Sequence, residues 1–401
     1  MRLHIDLIKG SFILLLAFGL SNFLHFLYQL SMARMLTLGE YGILAPLSAI
    51  IYIFLIFSES VQTIITKYSN KENDKGKLKN LIKRSFRKAF SISLVFFVIY
   101  LIASVPLSFY LDINYFLVSF TGLMIFVTLL APITRGIMQG KERFVGLGLN
   151  MIIESGGKLF LGIFFVYLGF KVFGAIAGII SAGIISIVIS LIPLKDIIRS
   201  KENKVETIGI YNYAKPTFLI TFIIIVFYSL DVIIAKIFFP AEIAGSYAIA
   251  SILGKIIFWG TLPISKAMFP MSAEEENRKE RSEDIFLNSL IMLLLGTTLA
   301  LIVFYLFPEF IINIFSGKVV PEAQKVLFFV GIAFGLTSIA NLILLYKLSL
   351  GKVKGCSYLF IFIIIEIVLL CIFSANLFQF SIAFITAAAV LLWGSIVLMN
   401  N

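Results

Sequence analysis

Long apolar runs, each broken by a few polar positions, set the pattern of this chain. The first runs from Lys9 to Ala33 and ends in the turn Arg34-Met-Leu-Thr-Leu-Gly-Glu-Tyr-Gly42. It is long enough to cross a bilayer, which needs about 20 apolar residues. Ser11, Asn22, His25 and Gln29 interrupt it. At about 100° per residue these four fall within an arc of roughly 60° on one helix face. A polar stripe in hydrocarbon is costly unless it faces protein or water, so this helix is expected to line a cavity.

Twelve spans of this kind are expected, near 7–33, 43–66, 89–110, 114–134, 144–168, 172–194, 216–238, 244–269, 286–308, 325–346, 356–374 and 377–399. The gaps alternate in charge. Every second gap, with the N-terminus, is basic, and together these hold about 25 of the 33 Lys and Arg. The positive-inside rule then places both termini in the cytoplasm. The first run resembles a signal sequence, but its length and the Arg34 after it argue for a retained helix. The basic segment Lys75–Phe90 has apolar residues at helical spacing. Two readings stay open for it: a helix resting on lipid head groups, or a solvated loop that orients the chain.

The pattern repeats. Ala33, Arg34 and Glu40 recur at the same spacing as Ala235, Lys236 and Glu242, and Gly42 and Gly245 follow. Two six-helix lobes are expected, 1–194 and 216–401, joined by a cytoplasmic linker at 195–215. Six spans per half keep the lobes in one orientation, a recurrent transporter plan. Span two carries the polar arc Ser48, Tyr52, Glu59, Gln62 and Thr66. Span seven carries Thr217, Thr221, Tyr228 and Asp231, span eight Ser251, Lys255 and Lys266, and span five Asn150, Glu154 and Lys158. Spans three, four, six, nine and twelve look like an outer wall.

An ionisable side chain at mid-bilayer costs at least ~2.5–3.5 kcal/mol, so each needs a partner or water. Glu154 and Lys158, at i and i+4, could pair with each other. Lys255 and Lys266 have no acid on their own helix and are expected to form a cationic cavity wall. For Arg34, Lys236 and Lys67, near helix ends, snorkelling to the interface competes with a cavity role. Asp231 could couple transport to a cation or proton. Glu366 stands isolated on span eleven, without an account.

Composition narrows the class. Hydrophobic residues make up 60% of the 401 and charged ones 14%, which describes an all-α polytopic membrane protein rather than a soluble domain. A membrane β-barrel would show alternating segments of about ten residues instead. The net charge of +11 sits at helix ends, where it orients a membrane protein and does not indicate nucleic acid. Cys356 and Cys371 share one apolar run and form no disulfide framework. His4 and His25 offer no metal spacing, and no phosphate-cradling loop is present, so no cofactor is expected. Short outer gaps leave little room for an enzyme site.

The residues Gly10-Ser11, Gly19-Leu-Ser-Asn22, Met32-Ala-Arg-Met-Leu36, Glu40-Tyr-Gly42, Val61-Gln-Thr63 and Lys67-Tyr-Ser69 open the chain. Asp231, Gly245-Ser-Tyr-Ala248 and Phe269-Pro270 follow in the second half. Together they resemble the polysaccharide-exporter family, the O-antigen-type flippases of the multidrug/oligosaccharidyl-lipid/polysaccharide exporter superfamily. The resemblance implies a MATE-like fold, with 12 transmembrane helices in two lobes around a central cavity lined by spans one, two, seven and eight. It implies a non-enzymatic, multi-pass transporter of the cell membrane. Such a protein would flip polyprenyl-diphosphate-linked oligosaccharides, on undecaprenyl or dolichyl carriers, to the outer leaflet by alternating access. Partners would be membrane lipids and the glycosyltransferases or polymerase of the same pathway. By matching position it carries over Arg34, Lys67, Asp231 and Lys255. The polar arcs add Asn22, His25, Gln29, Glu59, Gln62, Tyr228 and Lys266 as substrate-facing residues. The chain ends after span twelve, without the two extra helices of the peptidoglycan-precursor branch. A cation-coupled multidrug exporter of the same superfamily, using Asp231 or Glu59, is the alternative.

Overall fold

The computed structural model describes residues 2–204, 215–274, 279–351 and 356–400. Ten of its helices are long and apolar enough to cross a membrane. One of these runs, Phe144–Ile198, breaks in the middle, and the shorter apolar helix Phe360–Ile372 adds another crossing. The expected count of twelve is thereby met. The helices are α1 (Arg2–Met35), α2 (Leu38–Lys71), α3 (Lys75–Leu111), α4 (Tyr115–Thr121), α5 (Met124–Gly140), α6 (Phe144–Phe165) and α7 (Lys171–Ile189). After the short α8 (Lys195–Ile198) come α9 (Lys215–Phe238), α10 (Ala241–Glu274), α11 (Lys279–Leu306), α12 (Pro308–Ser316), α13 (Pro321–Ser349), α14 (Phe360–Ile372) and α15 (Leu377–Asn400).

Local chemistry explains where helices begin and end. Thr37 and Glu40 form a reciprocal capping box. The Thr37 amide donates to the Glu40 carboxylate at 2.9 Å, and the Glu40 amide donates to Thr37 Oγ1 at 3.2 Å. Asp74 caps α3 by accepting from the amides of Gly76 and Lys77. Between α6 and α7 the chain turns through Gly169 at φ 91°, a left-handed conformation that a side chain would oppose.

Two compact units divide the chain. Met1–Leu36 with Ile50–Ala214 forms one, and Thr37–Ala49 with Lys215–Asn401 forms the other. In the first, α1 packs along α6, α6 along α7, and α5 against both α3 and α7. In the second, α13 is central, packed on α10 and α15, while α9 lies on α14 and α11 on α10. Helices α3 and α11 bury little of their apolar surface and form outer walls, whereas α13 buries most. Span four departs from expectation. Its helix α5 is largely buried, because Gly136 and Gly140 let Ile65 and Ser69 of α2 approach its backbone.

The basic segment Lys75–Phe90 is helical and not a loop. It forms the first turns of α3. Leu78, Leu81 and Ile82 pack on Ile65, Ile137, Met138, Leu147, Leu194 and Ile197. The start of the 195–215 linker is tied to it, and 205–214 lies outside the described residues. Asp196 accepts from both arms of Arg143 at 2.6 and 2.8 Å and from Lys75 at 2.9 Å. Glu202 accepts from Asn80 at 2.6 Å and Lys83 at 3.0 Å.

The repeated turn has a structural counterpart inside the second unit. The starts of α2 and α10 touch backbone to backbone. A Cβ at Gly42 would collide with the Ala241 carbonyl, and one at Gly245 with the Leu38 carbonyl. Backbone atoms cannot step aside as side chains can.

Two predictions follow from these contacts. Gly42→Ala or Gly245→Ala should each destabilise by roughly 1–3 kcal/mol and lower the melting temperature in detergent. Gly260→Ala and Gly296→Ala, where a Cβ meets nothing within 4 Å, should shift it little or raise it. Equal melting of all four would refute the close crossing. Asp196 concerns pH. Hydrogen bonds from Arg143, then from Lys75, hold its carboxyl well below its ordinary value of 3.8. The stabilisation is therefore complete above about pH 3.8 and fades as pH falls through the lower folded value. Asp196→Asn should melt earlier than wild type at neutral pH, and the gap should close in acid. A constant gap across pH would count against the linkage.

Candidate functional site

A charged side chain on a spanning helix must be paired inside protein or wetted. Each unit contains a paired cluster, and each also exposes charged positions on apolar helices.

In the first unit the paired cluster joins α5, α6 and α7. Arg135 donates through Nε to Asn150 Oδ1 at 2.8 Å and through Nη2 to Ser186 Oγ at 3.0 Å. The same Nη2 forms a close ion pair with Glu154. Ser186 Oγ also donates to Glu154 at 3.1 Å, and Asn150 Nδ2 donates to the Ser186 carbonyl at 2.7 Å. The i, i+4 pairing of Glu154 with Lys158 is replaced by this tie, because Arg135 brings a planar fork with more donors. Lys158 instead sits 4.3 Å from the centre of the Tyr28 ring, a cation–π contact. Arg135 lies one residue past the expected end of span four. The signal for it was the Asn150–Glu154 arc, whose acid needed a base from another helix.

Helix α1 delivers the polar stripe to this unit, but the structure divides it. Asn22 is exposed, and Gln29 is 8% exposed and donates to Tyr52 at 3.0 Å. His25 lies between them, within electrostatic reach of Lys158, Glu154 and Arg135, and its buried Nδ1 has no hydrogen-bond partner. On α2, Gln62 donates to Gln139 at 2.8 Å. Glu59, Thr63 and Lys67, four residues apart, form an exposed column on the same helix. Arg34 is exposed at the end of α1.

In the second unit the cluster centres on Asp231 of α9, which is fully buried. Lys255 of α10 approaches its Oδ1 at 3.1 Å, and both Ser251 and Tyr247 donate to Oδ2. Tyr247, Ser251 and Lys255 recur every fourth residue, so one face of α10 solvates one carboxylate. The Lys255 ammonium also lies 5.5 Å from the Phe334 ring and 5.8 Å from the Tyr228 ring. The expectation that Lys255 is an unpaired cavity cation is therefore wrong. It is 5% exposed and locked to Asp231, with Tyr228 buried beside it. The acid lies on the neighbouring helix, where a stripe within one helix could not show it. Lys266 is exposed, with Pro263 and Ala267 beside it. Eleven residues separate it from Lys255, roughly 16 Å along the helix, so a shared face does not mean a shared environment. Lys236 is 3% exposed and does not snorkel into solvent.

Glu366 of α14 completes the second cluster. It is fully buried, neither of its oxygens has a hydrogen-bond partner, and it feels the charges of Asp231 and Lys255. Among the described residues, no three His, Cys, Asp or Glu side chains converge as a metal site.

Comparison with known proteins agrees with this architecture. A multidrug resistance MATE family transporter of the MOP superfamily, in an inward-facing conformation, aligns with a TM-score of 0.76 at 14% identity, covering 94% of both chains. The lipid II flippase MurJ, in an inward closed conformation, aligns at 0.69 with 16% identity, covering 97% of this chain and 88% of that one. A MOP superfamily transporter from Pyrococcus furiosus aligns at 0.56 with 14% identity, over 98% and 95%. At these identities the likeness is one of fold, and the fold is MATE-like. No curated protein matches by sequence. Residues 7–275 match the family described as polysaccharide biosynthesis protein, and this multi-pass membrane protein belongs to that family.

Proposed function

We propose that the protein flips polyprenyl-diphosphate-linked oligosaccharides across the cell membrane, from the cytoplasmic to the outer leaflet, by alternating access. One observation carries the reading. Glu59, Thr63 and Lys67 form an exposed polar column on α2, a helix otherwise apolar enough to span the bilayer. Facing acyl chains, Glu59 and Thr63 would cost a few kcal/mol, and Lys67 carries the column on toward the helix end. The column therefore faces water within the membrane, as a path for a polar head group requires. Asn22 on α1 and Lys266 on α10 are exposed in the same manner. Membership in a family described as polysaccharide biosynthesis protein supports a glycan precursor as the substrate class. A diphosphate is met by ammonium and guanidinium groups, for which Lys67, Lys266 and Arg34 are the exposed candidates. Sugar hydroxyls are met by Asn22, Thr63 and Glu59. Asp231, Lys255 and Tyr228 hold each other and serve the cycle from inside the protein. Both termini lie in the cytoplasm, as the basic gaps indicate.

The fold also carries multidrug exporters, and exposed Glu59 is the one feature that would suit a cationic drug. Deleting the gene separates the two readings. Surface glycan should disappear while drug susceptibility stays unchanged, and the converse result would select the exporter. Within the flippase reading, replacing Lys67 and Lys266 together with Ala should reduce surface glycan roughly tenfold at constant protein level, equivalent to about 1.4 kcal/mol. Arg at both positions should restore most of it. Undiminished glycan in the double Ala variant would remove these cations from the path.

A further inference from the structure

In the second unit two buried acids, Asp231 and Glu366, share one nearby buried base, Lys255, and hydrogen bonds are unequally divided between them. Asp231 accepts from Lys255, Ser251 and Tyr247. Glu366 accepts from nothing, although both its oxygens are sealed from solvent. It is the one charged residue of α14, a helix otherwise made of Phe, Ile, Val, Leu and Cys. The neighbours of α14 offer few charges. From α9 comes Asp231 and from α10 come Lys255 and the Tyr247 hydroxyl, which donates to Asp231 and feels the charge of both carboxyls. Helix α15 contributes no titratable side chain. Tyr358, in the turn before α14, and Cys371, on α14 itself, are exposed and lie apart.

An ionised carboxylate without a donor is among the least tolerable groups in dry protein, and its ordinary escape is to take a proton. Charge counting agrees. With Asp231 ionised and Lys255 charged, the trio is neutral only if Glu366 holds a proton. Lys255 is suited to serve either acid. Its ammonium has three donors on a flexible stem, and a single hydrogen bond holds it to Asp231.

We propose that Glu366 is the proton-carrying group of the transport cycle. It is neutral in the conformation described here. In another conformation, where water reaches α14, the O–H bond breaks, the proton passes to water and the carboxylate remains. Lys255 then divides its hydrogen bonds between Glu366 and Asp231. Reprotonation returns Lys255 to Asp231 alone. Nothing is oxidised or reduced, and one proton is exchanged per turn. The coupling assigned by sequence to Asp231 thus moves to its neighbour, and Asp231 becomes the resident anion that keeps Lys255 charged. The inference rests on the chain being a transporter and not on which glycan it carries.

Spectroscopy on the intact protein in lipid vesicles tests the proton itself. Infrared spectra of wild type at neutral pH should contain a protonated-carboxyl band that is missing from Glu366→Gln. If no such band distinguishes the two proteins, Glu366 is ionised and the proposal is wrong. The chain supplies its own conformational reporter. It has two tryptophans, and Trp259 packs on Tyr228 and Phe258 beside the cluster. In a Trp393→Phe background, Trp259 emission should titrate with pH, and Glu366→Gln should abolish that titration. A titration that persists would overturn the assignment. In cells, Glu366→Gln should display less than a tenth of the wild-type glycan at equal protein abundance, with Glu366→Asp intermediate. Full display by the Gln variant would reduce Glu366 to a structural acid. Should the gene prove to carry another substrate, the infrared and fluorescence results still decide the proton site.

Discussion

The price of placing a charge in hydrocarbon governs this protein. Each ionisable group on a spanning helix is under pressure to find a counter-charge, a hydrogen-bond donor or water. The two paired clusters are where the chain provides the first two, and Glu59, Thr63 and Lys67 on α2 are exposed instead. Packing fits this division. Small residues let helices close around the paired groups, as at Gly136 and Gly140, and the bulky exposed apolar side chains of α3 and α11 suit a lipid-facing surface.

The paired clusters differ in one respect that decides what each can do. In the first unit Glu154 has Arg135 and Ser186 as donors, and Asn150 ties the same group to α7. A planar guanidinium, charged at every physiological pH, makes that a fixed staple between three helices. In the second unit one lysine faces two acids, and one acid goes without. The first arrangement is satisfied and gains nothing by moving. The second is satisfied only with a proton aboard, so its preferred geometry depends on whether that proton is present.

Much of this was legible in the sequence. Span number and the separation of the spans ending near 168 and beginning near 172 follow from length and periodicity, because hydrophobic runs are properties of one helix, whereas the grouping of Thr37–Ala49 with Lys215–Asn401 does not. What stayed hidden lies between helices. Periodicity placed Lys255 on a polar face but could not show that Asp231 of α9 stands opposite. It set Glu154 against Lys158 because those two share a helix, whereas Arg135, one helix earlier, reaches Glu154 first. The helical spacing of apolar residues at the start of α3 was legible, with a helix and a loop both open. Its apolar partner was not, since Leu194 and Ile197 arrive from more than a hundred residues downstream. Glu366 was visible only as an anomaly, an acid in an apolar run, and acquired meaning once its missing hydrogen bonds could be seen.

Magnitudes show why such an anomaly can drive a cycle. Moving a two-state equilibrium from 1:99 to 99:1 takes about 5.5 kcal/mol. An uncompensated buried carboxylate costs a comparable amount, several kcal/mol by the same reasoning that makes buried ions shed their charge. A membrane potential of 100 mV adds ~2.3 kcal/mol per proton moved across it, and each pH unit of gradient adds about 1.4 kcal/mol. One proton on one unpartnered acid is therefore enough to select between two packings of the second unit. A fully satisfied salt bridge at the same place would resist the change, because breaking it leaves two buried charges unpaired where protonation of Glu366 leaves none. The missing hydrogen bonds of Glu366 are, on these numbers, what makes that helix pair responsive.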